Sequence, residues 1–149
     1  MNRSSSLIQR GLIGGLWGTL AMSLLMGAAT ASGVSPLPRP VPAALAGTLL
    51  GAVAKPILML TALLLHFGIG GAGGALLAAW RERITYWNAL GLALALWLIM
   101  QLAVFPLLGW GVFGAAVTPK LAVATLVPHL AYGGVLGWYG RRLPEAVPA

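Results

Sequence analysis

The chain has 149 residues, of which 59% are hydrophobic and only 7% charged, whereas soluble domains average roughly 45–50% and 25%. A net charge of +7 does not indicate nucleic-acid binding here, because the basic residues flank apolar runs instead of forming a polar face. The length allows one domain, residues 1–149, and the absence of cysteine excludes disulfides, thiolate metal sites and cysteine nucleophiles. The composition therefore predicts an all-α integral protein of the lipid bilayer and excludes a water-soluble fold.

Four apolar stretches have the roughly 20 residues that a helix needs to cross a bilayer. They cover residues 11–30, 56–79, 86–110 and 121–140. Pro106 and Pro128 fall inside the third and fourth stretches, and we expect them to kink these helices. The sequence therefore predicts four transmembrane helices.

The first two stretches are joined by an unusual connection. Four prolines within residues 31–42 exclude a continuous helix there. Residues 43–54 are apolar but too short to span, so they are predicted to form an interfacial or re-entrant helix, or an extension of the second span. The first stretch also resembles a secretory signal peptide, but it is longer than the usual 7–15 apolar residues, which favours a retained span.

The basic residues are distributed unequally between the two ends of the predicted spans. One end carries Arg3, Arg10, Arg81, Arg83, Arg141 and Arg142, and the other carries Arg39, Lys55 and Lys120. Basic residues concentrate on the cytoplasmic side of membrane proteins. We therefore expect a multi-pass protein of the cell inner membrane with both termini in the cytoplasm.

One motif occurs twice. Residues 66–74 read H-F-G-I-G-G-A-G-G and residues 129–137 read H-L-A-Y-G-G-V-L-G, which share the pattern His-x3-Gly-Gly-x2-Gly and contain the only histidines of the chain. The repetition predicts that spans one and two form one helix pair and spans three and four another. Both pairs would start and end on the same side, as parallel repeats about an axis along the membrane normal.

The motif histidines are expected at the middle of the membrane. At about 1.5 Å per residue, His66 lies roughly 16 Å from the boundary at Lys55, and His129 lies roughly 14 Å from Lys120. Ser23 and Gln101 fall at similar depths in the other two spans. Because lipid offers these groups no hydrogen-bond partner, we expect a buried polar layer of Ser23, His66, Gln101 and His129.

The glycines of the motif are expected to pack helices together. Gly70 and Gly74 follow His66 at i+4 and i+8, and Gly133 and Gly137 follow His129 in the same way. Residues at this spacing share one helix face, and small residues there let backbones approach closely.

Three roles for the histidines stay open at this point. They can form hydrogen bonds that hold helices together, which is a purely structural role. They can line a path or binding site for protons, ions or a small solute. They can also be the axial ligands of a b-type haem, since they lie on different helices at similar depth. Apart from this haem, we expect no cofactor and no metal site.

Enzyme chemistry is not expected. The only carboxylate side chains belong to Glu82 and Glu145, which lie outside the spans, so the membrane contains no acid pair. A dyad of Ser23 and His129 would lack a nucleophile-elbow sequence such as G-x-S-x-G. We predict no catalytic residues and favour a non-enzymatic transport or accessory subunit, which self-associates or docks on a larger membrane complex.

Two segments carry a resemblance to a known group of proteins. They are G-L-I-G-G-L-W-G-T-L-A-M-S-L-L-M at residues 11–26 and H-L-A-Y-G-G-V-L-G-W-Y-G at residues 129–140. With them the chain resembles the small, uncharacterised four-span inner-membrane proteins of bacteria and archaea that include the YagU-like proteins. The resemblance implies a four-span protein without an established reaction, so it transfers no site residues.

Overall fold

A computed structural model describes residues 3–81 and 83–142, and this part of the chain contains helices and no strand. The main helices are α1 (Arg3–Ala31), α2 (Val41–Leu50), α3 (Lys55–Trp80), α4 (Tyr86–Leu107) and α5 (Lys120–Arg141). Four of them, α1, α3, α4 and α5, are long and apolar enough to cross a membrane. The prediction of an all-α protein with four transmembrane helices is confirmed.

The four long helices pack mainly through α1 and α5, and α3 also contacts α4. α1 packs along α3 on one side and along α5 on the other, and α5 also packs along α4. The expected pairs α1–α3 and α4–α5 are therefore present, and they meet mainly where α1 faces α5. The short helix α2 packs on α3.

The bundle has two ends of different composition, because successive long helices run in opposite directions. We call one the arginine end, which carries Arg10, Arg81, Arg83, Arg141 and Arg142. We call the other the lysine end, which carries Arg39, Lys55 and Lys120. Two arginines at the first end lie over aromatic rings, Arg141 at 5.2 Å from the ring centre of Tyr86 and Arg142 at 4.1 Å from that of Trp138.

Glycines determine how closely α1 and α3 approach. A Cβ added to Gly74 would collide with the carbonyl oxygen of Gly11, and one added to Gly15 would collide with the carbonyl oxygen of Gly70. The two backbones are thus in direct contact over about one helical turn. Only glycine at these positions permits this approach.

The second copy of the motif packs in a similar way against α4. A Cβ at Gly133 would lie 2.9 Å from the Cβ of Ala93, and a Cβ at Gly137 would lie 2.8 Å from the Cα of Tyr86. In both copies, therefore, the motif glycines face the span that precedes them in the chain. This shared orientation is what a duplicated helix pair would produce.

The helix α2 is separate from α3. Between them Gly51 has φ 68° and ψ −145°, a conformation that is essentially restricted to glycine. This break excludes an extension of the second span. Val41 and Ala44 of α2 are buried in a cluster with Phe105 and Leu121, so α2 covers the lysine ends of α4 and α5.

The two prolines within spans have different consequences. Pro106 has no N–H to donate to the carbonyl of Leu102, and the preceding residues Met100–Val104 form a π-helical turn in which the N–H of Phe105 donates to the carbonyl of Met100. The kink expected in α4 therefore takes the form of one wide turn. The helix α5 continues through Pro128.

Candidate functional site

Both histidines line one cavity between the long helices. Its volume is about 160 Å³, and side chains from all four spans and from the connection to α2 surround it. Leu37, Val41 and Leu45 line it towards the lysine end, and Gly70 and Tyr132 line it towards the arginine end. The surrounding side chains are mostly apolar, so the two imidazoles are prominent among the polar groups that a guest molecule would meet.

His66 is held by a side chain of the neighbouring helix. Its Nε2 lies 3.1 Å from the Oγ of Ser23, and the Ser23 hydroxyl lies 2.8 Å from the carbonyl oxygen of Thr19. A carbonyl can only accept, so the single hydroxyl proton of Ser23 is donated to Thr19 and His66 Nε2–H donates to Ser23. This arrangement leaves the Nδ1 lone pair of His66 available.

His129 is held by its own helix. Its Nδ1 lies 2.8 Å from the carbonyl oxygen of Thr125, so Nδ1 carries the proton and donates it. The Nε2 lone pair of His129 is consequently available. The imidazole is nearly buried, with 7% of its residue surface exposed. Both histidines can thus be neutral and still offer one nitrogen to a donor or a metal ion.

Thr125 connects His129 to the helix α4. Its hydroxyl donates to the carbonyl of Leu121 at 2.8 Å, and it accepts hydrogen bonds from Gln101 Nε2 and Trp97 Nε1, both at 3.3 Å. Sequence analysis did not select Thr125 or Trp97. The signal available was their position: Thr125 lies one helical turn before His129 in the same span, and Trp97 lies within the preceding span.

Gln101 is fully buried, but it does not line the cavity. Its amide nitrogen donates to Thr125, while its Oε1 has no hydrogen-bond partner. The four residues of the expected polar layer are therefore arranged as two groups. Ser23 and His66 form a direct pair, and Gln101 and His129 meet through Thr125.

Tyr132 closes the cavity towards the arginine end. Its hydroxyl donates to the carbonyl of Gly70 at 2.7 Å, and its residue surface is only 2% exposed. Its ring lies against Gly18 of α1, where a Cβ would come within 2.8 Å of it. Sequence analysis missed this residue, although it lies one helical turn after His129 within the motif.

A wider cleft adjoins the cavity at the lysine end. Its volume is about 840 Å³, and the proline-rich connection, including Arg39, forms one of its walls. The cleft and the cavity share six lining residues, namely Met26, Leu37, Pro42, His66, Ala124 and Pro128. His66 therefore lies where the cleft meets the cavity.

The backbone of α5 adds a polar group at the same place. Pro128 has no N–H, so it cannot donate to the carbonyl of Ala124 as a residue in an ordinary helix would. Both residues line the cleft and the cavity. The junction between the two spaces thus combines an imidazole with a carbonyl that lacks its usual helical donor.

A b-type haem with His66 and His129 as axial ligands stays a prediction. Lys55 and Lys120, which could have met the propionates, do not line the cavity. Within the described residues, no group of three or more His, Cys, Asp or Glu side chains could hold a metal ion. Glu82 and Glu145 lie outside the described residues.

Comparisons with protein-family models, with curated proteins and with solved structures found no match. The four candidate spans are compatible with a multi-pass membrane protein, and the resemblance to YagU-like proteins stays a prediction. The function must therefore be argued from the cavity and the residues around it.

Proposed function

We propose that this protein is a small, non-enzymatic transport or accessory subunit of the cell inner membrane, which admits a small solute to the histidine-lined cavity. The observation that carries the proposal is the junction of cleft and cavity at His66. Six residues line both spaces, so a solute in the cleft would reach the cavity without crossing another layer of side chains.

Access is expected from the lysine end only. Towards the arginine end, Tyr132 donates to the carbonyl of Gly70, and the backbones of α1 and α3 touch at Gly11 and Gly74. At these positions the helices are in direct contact. Movement of a solute to the arginine end would require α1 and α3 to separate.

The charge distribution gives this one-sided access a direction. Arginine and lysine side chains concentrate on the cytoplasmic side of inner-membrane proteins. The arginine end would then face the cytoplasm with both termini, and the cleft would open to the opposite side. In this orientation the described structure corresponds to a state that is open to the outside.

The absence of cysteine makes this proposal directly testable. Leu65 lines the cavity, whereas its neighbour Leu64 is 66% exposed on the outer surface of α3 and would face lipid. We expect a small, membrane-impermeant thiol reagent to modify Leu65→Cys in oriented vesicles when it is added from the lysine end, because the cleft gives it an aqueous route. From the arginine end no modification is expected.

Leu64→Cys is the matched control for this experiment, since it has the same helix, the same depth and the opposite environment. It should resist the reagent from both sides. The proposal fails if Leu65→Cys is as unreactive as Leu64→Cys, or if it reacts from the arginine end.

A further inference from the structure

The methionines of this chain are gathered around the two histidines. Three of them, Met22, Met26 and Met100, line the cavity. Met26 also lines the cleft, together with Met59. Apart from Met1, these are all the methionines of the sequence. Every thioether within the described residues, and every imidazole of the chain, thus lines one of the two connected spaces.

The chemistry of these donors is selective. Thioether sulfur is a soft ligand that favours Cu(I), and imidazole also binds copper. Hard ions such as Mg²⁺ and Ca²⁺ require carboxylate, carbonyl or water oxygens in number, and no acidic residue lines the cavity. A binding site made of three thioethers and two imidazoles therefore matches a soft, monovalent ion.

We propose that the cavity binds Cu(I), with ligands drawn from the thioethers of Met22, Met26 and Met100 and the imidazoles of His66 and His129. The proposal rests on the proposed function, and it specifies the solute that the cavity admits. All five possible ligands are electrically neutral, which suits an ion of single charge in a low-dielectric surrounding.

The arrangement of the helices supports this set of ligands. Met22 and Met26 are four residues apart, so they lie on one face of α1, above Thr19 and Gly70 at the floor of the cavity. Met100 begins the π-helical turn of α4, and turns of this type occur frequently at functional sites. Each of the three spans α1, α3 and α5, and the π-helical turn of α4, thus contributes at least one donor.

The hydrogen bonds of the histidines leave the nitrogens that a metal ion needs. Nε2–H of His66 donates to Ser23, and Nδ1–H of His129 donates to the carbonyl of Thr125. Histidines that bind metals usually donate their other ring N–H in this way, which orients the ring and fixes its tautomer. The free nitrogens are Nδ1 of His66 and Nε2 of His129.

The positive charges near the cleft indicate that the cavity would select an ion by the bonds that the ion forms with its ligands and not by its charge. Arg39 lines the cleft, and Lys55 and Lys120 lie at the same end of the bundle. These groups repel hydrated cations such as Na⁺ or Mg²⁺. An ion that forms bonds to sulfur and nitrogen can still bind, because its affinity comes from those bonds.

Binding can be measured with the full-length protein in nanodiscs under anaerobic, reducing conditions. Competition with a chromophoric Cu(I) chelator should reveal one Cu(I) per chain, and Ag(I), which is a redox-inert substitute, should compete for it. Zn(II) and Mg(II) should not compete. X-ray absorption of the copper complex should show sulfur among the first-shell neighbours of the metal.

Conservative variants test the ligands. Replacing Met22, Met26 and Met100 together by leucine keeps the apolar volume, and we expect the affinity for Cu(I) to fall at least about 100-fold, since even outer-shell partners of a metal site are worth 10–100-fold. The matched control is Leu24→Met, which adds a thioether on the outer surface of α1, where Leu24 is 67% exposed. It should change neither the stoichiometry nor the affinity.

Three results would each overturn the assignment of Cu(I). They are no binding of Cu(I) at all, a first shell without sulfur in the wild-type complex, and an unchanged affinity in the folded triple variant. These results are distinct from a failure of the proposed function. If Leu65→Cys reacts from the lysine end but Cu(I) does not bind, the accessible cavity stands and its solute is different. If Cu(I) binds through sulfur but Leu65→Cys is unreactive, the site stands and the access route fails.

Discussion

The two halves of this bundle are built from opposite kinds of contact. Towards the arginine end, helices touch backbone to backbone through Gly11, Gly15 and Gly74, and side chains between them are few. Towards the lysine end, long side chains and a proline-rich connection surround a cavity and a cleft. One half excludes guests by close packing, whereas the other leaves room for them.

The repeated motif crosses the boundary between these halves. Each copy begins with a histidine at the cavity and continues with glycines into the closely packed half. Within nine residues the motif therefore provides both a close helix contact and a side chain that lines the cavity. Both are possible because helices held together at one end can diverge at the other. The glycines and the histidines therefore need not act at the same place, although they lie on one helix face.

The strongest test of the closely packed half is Gly74→Ala. Its methyl group would collide with the carbonyl oxygen of Gly11 and lie 3.0 Å from the Cα of Gly15, so α1 and α3 must move apart. Overpacking of an interior typically destabilises by 1–3 kcal/mol and occasionally more. Because backbone atoms cannot move aside as side chains do, we expect a loss of about 3 kcal/mol in the free energy of unfolding, measured in bicelles.

The matched control is Gly68→Ala on the same helix, where an added Cβ would meet no atom within 4 Å. It should be neutral, or stabilising by up to about 1 kcal/mol, because alanine is the better helix former. Equal effects of the two substitutions would contradict the assignment of Gly74 to a direct backbone contact.

The boundary between the halves is tested by Tyr132→Phe. This change removes the hydrogen bond to the carbonyl of Gly70 and leaves the ring in place. Hydrogen bonds between membrane helices contribute about 0.6–2 kcal/mol each, so we expect a loss of about 1 kcal/mol in the free energy of unfolding.

Tyr132→Phe should also make the cavity easier to open on the side of the arginine end, which Tyr132 closes. In the double variant Tyr132→Phe/Leu65→Cys, the thiol should therefore react with the impermeant reagent added from the arginine end faster than in Leu65→Cys alone. An unchanged stability together with an unchanged labelling rate would exclude Tyr132 as the residue that closes the cavity.

The spans and their glycine contacts were predictable because both depend on properties that act along a single helix. Apolar length identifies a span, and glycine spacing identifies a face that can approach another backbone. The depth of His66 and Ser23 could likewise be counted from the nearest charged residue. These two side chains do lie within hydrogen-bond distance.

The partners of Gln101 and Thr125 were not predictable from depth alone. The π-helical turn Met100–Val104 changes the rotation of α4, so extrapolation with 3.6 residues per turn misplaces the face on which Gln101 lies. Thr125 satisfies its own hydroxyl with the carbonyl of Leu121, four residues earlier, so its presence in a span does not require a partner on another helix. The neighbours of such residues depend on tertiary packing.

The smallest expected effect on the free energy of unfolding concerns Ser23 and His66, which are hydrogen-bonded at the junction of the cleft and the cavity. If Ser23 and His66 only hold α1 and α3 together, a double-mutant cycle with Ser23→Ala and His66→Ala should give a coupling free energy of about 0.6 kcal/mol, the average for such bonds in a membrane protein. The bond between them is only half-buried, and its length of 3.1 Å is in the upper part of the usual range, which favours a value at or below this average.

Stability and the proposed binding of Cu(I) can be measured separately at this pair. We expect His66→Ala to reduce the affinity of the cavity for Cu(I) far more than it reduces stability, and Ser23→Ala to reduce the affinity only through the orientation of the imidazole. A coupling free energy well above 0.6 kcal/mol, together with an unchanged affinity for Cu(I) in His66→Ala, would show that the pair holds the helices together. The lysine-end half would then resemble the arginine-end half, because its polar residues would also serve helix packing.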